Sequence, residues 1–157
     1  MIQQGETIPS VGITEVVADG QQATTSDEFF AGKKVVLFAV PGAFTPTCSV
    51  SHLPGYVVLA DQIHAKGVDL IACVSVNDAF VMRAWAQAQN AEAITMLADG
   101  GGAFTKALGL EMHTGDFGGL RSQRYAMVVD DGVVSLLQVE EPKAFAISDA
   151  ESILAAL

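Results

Sequence analysis

The stretch Lys34–Gly55 reads KVVLFAVPGAFTPTCSVSHLPG, and its two halves obey different rules. Lys34 to Val40 is almost wholly apolar and too short for a helix of its own, which is the pattern of a central strand buried on both faces. The second half is punctuated by Pro41, Gly42 and Pro46. Thr45 has the side chain of a helix N-cap and Pro46 suits the first helical position, where a missing N–H costs nothing. Cys48 then falls on the third helical residue, over free backbone N–H groups and the positive end of the helix dipole, which favour a thiolate over a thiol. From Val50, the positions Val50, Leu53, Val57, Ala60 and Ile63 keep helical spacing to about residue 66. Pro54 is expected to kink that helix, because it cannot donate to the carbonyl four residues earlier.

Outward from this core the chain alternates strand-like and helix-like windows, the signature of an α/β protein. Further strands are expected near Val68 to Val76 (VDLIACVSV), Ile94 to Leu97, Tyr125 to Val129 and Val133 to Val139. The last two flank Asp130-Asp131-Gly132, an Asp-Gly turn signal for an antiparallel hairpin, so the sheet should be mixed. Asn77 or Asp78 can cap a helix through Gln89, with Phe80, Val81, Ala84, Trp85 and Ala88 as its apolar face. Ser148 with Glu151 reads as a capping box opening a terminal helix that carries Ile153, Leu154 and Leu157. Gly100-Gly101-Gly102 reads as a loop; a phosphate cradle would need a following Lys-Ser/Thr or the G-x-G-x-x-G spacing, and neither is there.

The length, 157 residues, fits one domain spanning 1–157. Half the residues are hydrophobic and 17% charged, a balance that opposes disorder. With 8 basic and 18 acidic residues the net charge is -10, which repels polyanions, so neither nucleic acid nor an anionic membrane surface is an expected partner. The longest apolar run is the six residues Val35 to Val40, against the ~20 that a membrane span needs. Two cysteines do not make a disulfide framework, and the N-terminal residues MIQQGETIPS carry no leader pattern. A cytoplasmic setting with reduced thiols is expected.

The pattern P-x-x-x-T-x-x-C, here Pro41, Thr45 and Cys48, resembles the active-site signature of peroxiredoxins, and PGAFTPTCS followed by HLPGY resembles their type II, or peroxiredoxin-five-like, branch. The likeness runs on through VSVNDAFVMRAWA (Val74 to Ala86), DGGGAFTKALGL from Asp99, and GLRSQRYAMVVDDG (Gly119 to Gly132). It implies a thioredoxin-like fold with a mixed sheet flanked by helices, and a thiol peroxidase that reduces hydrogen peroxide or organic hydroperoxides through a sulfenic acid at Cys48, without metal, haem or flavin. It also implies a homodimer and antioxidant defence. The resemblance makes Arg124 the active-site arginine, a permanent cation beside the sulfur. Thr45 would set its hydroxyl beside thiolate and peroxide, and Pro41 would shield the sulfur from solvent.

Each of these residues has a plainer reading. A single cysteine early in a helix is usually a small buried apolar side chain, and only the surrounding motif argues otherwise. Arg121 competes with Arg124 until the resemblance selects between them. His52, one turn after Cys48, could form a Cys–His pair or a metal ligand, but no further ligands or orienting carboxylate stand at suitable spacing, so it reads as a hydrogen-bonded histidine beside the pocket. His64 and His113 read as surface residues. Cys73 sits inside an apolar strand and reads as structural. Disulfide-forming members of the branch carry a resolving cysteine near the C-terminus, whereas EEPKAFAISDAESIL (Glu140 to Leu154) has none. That departure points to a one-cysteine cycle with an external reductant, glutathione with glutaredoxin favoured and thioredoxin the alternative. A thiol–disulfide exchanger lacks its second cysteine at position 45, and an inactive binding module conflicts with the intact Thr45, Cys48 and Arg124 set.

Overall fold

A computed structural model describes residues 1–157. Its strands are β1 (Gly12–Val17), β2 (Gly20–Thr25), β3 (Lys34–Ala39), β4 (Leu70–Ser75), β5 (Thr95–Ala98), β6 (Glu111–His113), β7 (Leu120–Ser122), β8 (Tyr125–Asp130) and β9 (Val133–Val139). Its helices are α1 (Ser26–Phe30), α2 (Leu53–His64), α3 (Ala79–Ala88), α4 (Ala103–Leu108) and α5 (Ala150–Ala156). Seven strands form one sheet in the order β2-β1-β5-β4-β3-β8-β9, and β6 pairs with β7 apart from it. β3, β4 and β5 run parallel, and β8 and β1 flank them antiparallel, so the sheet is mixed as its sequence implies. The β8–β9 hairpin closes through Asp131 (φ 47°) and Gly132 (φ 81°), the two positive φ values that a type I′ turn demands.

Alternation along the strands splits the core in two. Val36, Phe38, Ile71, Cys73, Met96, Ala126 and Val128 face α2, α3 and α5, while Val35, Leu37, Ala72, Val74, Leu97, Met127 and Val129 face α1 and α4. β3 lies between β4 and β8, buried from Val35 to Ala39. Its C-terminal end delivers the chain to the loop 41–45, at the edge where an open α/β sheet presents its ligands.

Three helix expectations need correction. Ser148 does not cap α5: Asp149 does, accepting from the Ser152 N–H at 3.2 Å, and the Ser148 hydroxyl goes to Glu140 instead. On α3, Phe80, Ala84 and Ala88 are exposed, and the buried face is Ala79, Met82 and Trp85. This helix carries apolar residues on both sides, so periodicity alone could not say which one meets the sheet. On α2 the buried set is Leu53, Tyr56, Ala60 and Ile63, with Val50 75% exposed. Ahead of Pro54 the chain makes a π turn over Cys48–His52, where the Leu53 N–H reaches back five residues to the Cys48 carbonyl. The wider turn accommodates Pro54 and shifts everything before it by about one residue around the axis, which carries Val50 off the core face.

β1, β2, β6 and β7 were not among the expected strands. No helix is long and apolar enough to cross a membrane.

Candidate active site

The helical chain begins at Pro46, and its first bond runs from the Ser49 N–H to the Thr45 carbonyl at 3.0 Å. Cys48 therefore sits where the proline spacing places it, with no exposed surface. The Thr45 hydroxyl is not the cap that its position suggests. It donates to the Gly42 carbonyl at 2.6 Å, pinning the turn that leads into the helix. Because its proton is committed there, that oxygen has lone pairs but no donor left for a ligand.

Arg124, in the loop entering β8, reaches across the sheet end. Its Nη2 donates to Cys48 Sγ at 3.0 Å and its Nη1 to His52 Nδ1 at 2.8 Å, and the guanidinium carbon lies 5.8 Å from the Phe145 ring centre. An Nδ1 that accepts must leave the ring proton on Nε2, and Nε2 donates to the Ser148 carbonyl at 3.0 Å. Burial first, and the Arg124 charge second, push the His52 pKa down to about 3, so the imidazole is neutral. The ring packs against Phe38, Tyr56 and Phe145, with centroids 4.9, 5.7 and 5.0 Å away. Tyr56 stacks on Phe38 and donates its hydroxyl to the same Ser148 carbonyl at 2.7 Å.

Behind Ser148 stands Glu140. One carboxylate oxygen accepts the N–H groups of Ala146, Ile147 and Ser148 and the Ser148 hydroxyl, all at 2.8–2.9 Å. Burial alone would raise this carboxyl, but these donors outweigh it and hold the group below its usual range.

The other sequence candidates fall into place around this chain. Arg121 does not touch the sulfur: its Nη1 donates to the Pro41 carbonyl at 3.2 Å, and a Cβ at Gly42 or Gly118 would collide with its side chain. Pro41 is thus held through its backbone. His64, exposed, bonds the Val68 carbonyl at 2.8 Å, and His113 is also exposed. Cys73, in β4 opposite Phe38 and Met96, has no exposed surface, and burial, with Cys48 as a second cause, pushes its thiol well up. The sequence reading missed Glu140, Ser148 and Tyr56. Ser148 lies 96 residues from His52, and Glu140 beside Glu141 looks like an ordinary surface acid.

Pro41, Thr45, Thr47, Phe117, Arg124 and Lys143 line part of a cleft of about 790 Å³. Cys48 is not on its wall; Arg124, which is, carries Nη2 inward to the sulfur.

The Redoxin family model matches residues 3–154. Peroxiredoxin-2E-2, chloroplastic, of Oryza sativa subsp. japonica is 56% identical over 146 residues, covering 89% of this chain, which spans only 65% of that protein's length. Peroxiredoxin-2D of Arabidopsis thaliana is 45% identical, covering 99% of this chain and 98% of its own. Among solved structures, reduced Prx3 from Vibrio vulnificus in complex with hydrogen peroxide superposes with a TM-score of 0.97 at 67% identity, over 99% of both chains.

Proposed function

The chain belongs to the peroxiredoxins, in their type II branch with a thioredoxin-like fold, and from that premise we propose that it is a thiol peroxidase reducing hydrogen peroxide and organic hydroperoxides at Cys48. The observation that carries this reading is the 3.0 Å hydrogen bond from Arg124 to Cys48 Sγ inside a fully buried helix start. Sulfur attacks one peroxide oxygen, an S–O bond forms as the O–O bond breaks, and the departing oxygen takes a proton to leave as water or an alcohol. Negative charge moves from sulfur onto both oxygens, and Arg124 is the permanent cation beside that path. Thr45, with its own proton held by Gly42, is suited to accept from the O–H of the incoming peroxide. Arg121 and Pro41 hold the loop that carries Thr45.

The sulfenic acid is then reduced from outside. A first thiol condenses with it to give a mixed disulfide and water, and a second thiol releases Cys48. Glutathione with glutaredoxin is the favoured donor and thioredoxin the alternative, and the 790 Å³ cleft beside Arg124 has room for a tripeptide. Cys73 is a poor internal attacker because burial keeps its thiol protonated. Two free thiols suit the cytoplasm, where such a cycle serves antioxidant defence. A homodimer is the proposed assembly, with Phe44, Val50, Phe80 and Phe117, each more than half exposed, as candidates for its interface, and sedimentation would detect it. Stopped-flow mixing of the reduced protein with hydrogen peroxide tests the main reading. Oxidation orders of magnitude faster than that of free cysteine supports it, and a rate equal to free cysteine rejects it. Turnover with glutathione and glutaredoxin, compared with thioredoxin, decides between the donors.

A further inference from the structure

We propose that His52 is a positioning residue for the peroxide step, holding the Arg124 guanidinium in the one orientation that presents Nη2 to Cys48. The inference rests on the peroxidase reading of Cys48 and Arg124.

Arg124 is half-buried and faces the cleft on a long side chain, so nothing in its own backbone fixes the plane of its guanidinium. That plane is set by two acceptors, Cys48 Sγ at 3.0 Å and His52 Nδ1 at 2.8 Å. The second acceptor has to orient a cation without cancelling it. A carboxylate at this place would pair with Arg124 and draw its charge from the sulfur, and a hydroxyl could rotate away. A neutral imidazole does neither, provided that its proton is kept on Nε2.

The surrounding structure enforces that tautomer. Nε2 faces the Ser148 carbonyl at 3.0 Å, an acceptor that can take only a donor. Ser148 is aimed by its N–H and hydroxyl bonds to Glu140, and the Glu140 backbone N–H donates to the Arg124 carbonyl at 2.9 Å. The contacts close into a ring: Arg124, Glu140, Ser148, His52 and back to Arg124. If His52 served only to fill space between Phe38, Tyr56 and Phe145, an apolar ring would do as well, and this difference can be measured.

The test compares wild type, His52→Phe and His52→Asn, each also in the Arg124→Met background, after thermal melting has established that each variant is folded. Trp85, the single tryptophan, donates to Ser49 Oγ at 3.0 Å in the turn that carries Cys48, so its fluorescence can follow oxidation by hydrogen peroxide in stopped flow. His52→Phe keeps an aromatic ring but loses the acceptor, and should slow the second-order step about 10²-fold, the effect of a misplaced catalytic group. His52→Asn can turn its Oδ1 toward Arg124 and should recover the rate to within about tenfold of wild type. In the Arg124→Met background the two His52 variants should differ from their parent by less than about threefold, since His52 then has nothing to position. Should His52→Phe not fold, His52→Gln takes its place with the same expectation, its longer side chain carrying the amide to where Nε2 lies. A phenylalanine (or glutamine) variant as fast as wild type overturns the proposal. So does an asparagine variant as slow as that one, or an equal loss with and without Arg124. A wild type no faster than free cysteine brings down the peroxidase reading itself, and this inference with it.

Discussion

Cys48 and Cys73 belong to the same buried cluster and neither has any exposed surface, yet their surroundings differ in kind. Around Cys73 the main-chain donors of β4 are engaged in the ladders to β3 and β5, and burial drives its thiol upward. Cys48 opens a helix through a π turn and receives Arg124 Nη2, itself oriented by His52. On the proposed peroxidase reading, then, it is not burial but the donors that accompany it that set a reactive thiol apart from a structural one.

The strongest way to break this contrast is to exchange the roles by mutation. Cys48→Ser should abolish peroxide consumption while Cys73→Ser retains most of it, as read by a peroxide assay on the two purified variants. The opposite ranking would refute the assignment. Next in size, Arg124→Met removes the donor on sulfur and should slow the peroxide step by about 10² to 10³, the usual cost of losing one such donor. Arg121→Met, which touches the Pro41 loop and the Phe117-Gly118 turn but not the sulfur, should cost less than about tenfold. Equal losses at both arginines would mean that loop order, and not the cation at the sulfur, sets the rate. Thr45→Val keeps the shape of the turn but drops the oxygen that accepts from the peroxide and the bond to Gly42, and a loss of about 10² in the same stopped-flow assay is expected from the misplaced peroxide; an unchanged rate removes Thr45 from the chemistry.

The smallest effect concerns stability. His52 has a folded pKa of about 3 against 6.5 unfolded, so the unfolded chain binds the extra proton in that window. The neutral histidine's contribution is intact above pH 6.5 and is lost as pH falls from there toward 3, with a slope of about 1.4 kcal/mol per pH unit. Denaturant titrations of wild type and His52→Asn between pH 7 and 4 isolate it, because Glu140 titrates in both. Parallel pH profiles would show that His52 is not neutral in the folded protein.

How much of this was legible in the sequence depended on distance along the chain. β3, the loop after it and the place of Cys48 are local matters, decided by an apolar run and by Thr45-Pro46 two residues before the cysteine. β1 and β2 escaped because GITEVV and GQQATT lie toward the sheet edge with exposed positions such as the polar Gln21 and Gln22, so they lack the apolar alternation that marks a half-buried strand. β6 and β7 are three residues each, too short for any period. Thr45 precedes the first helical residue as its spacing to Pro46 indicates, but a hydroxyl that can cap a helix can equally turn back to a carbonyl, and only the Gly42 contact decides. The chain of Glu140, Ser148, His52 and Arg124 had no local signal at all, since its side-chain contacts join residues up to 96 apart. Arg124 was separable from Arg121 only through the likeness of the whole segment to peroxiredoxins, because both are single cations beside a strand.

The most direct test of the central claim, that Cys48 is the peroxide-reactive thiol and is resolved from outside, is the mass of the reduced protein after one equivalent of hydrogen peroxide with no thiol added, combined with peptide mapping. The expected result is the gain of one oxygen, located on Cys48, replaced by a glutathione adduct at the same residue when glutathione is supplied. Oxygen on Cys73, or the loss of two hydrogens with Cys48 and Cys73 joined, would contradict it.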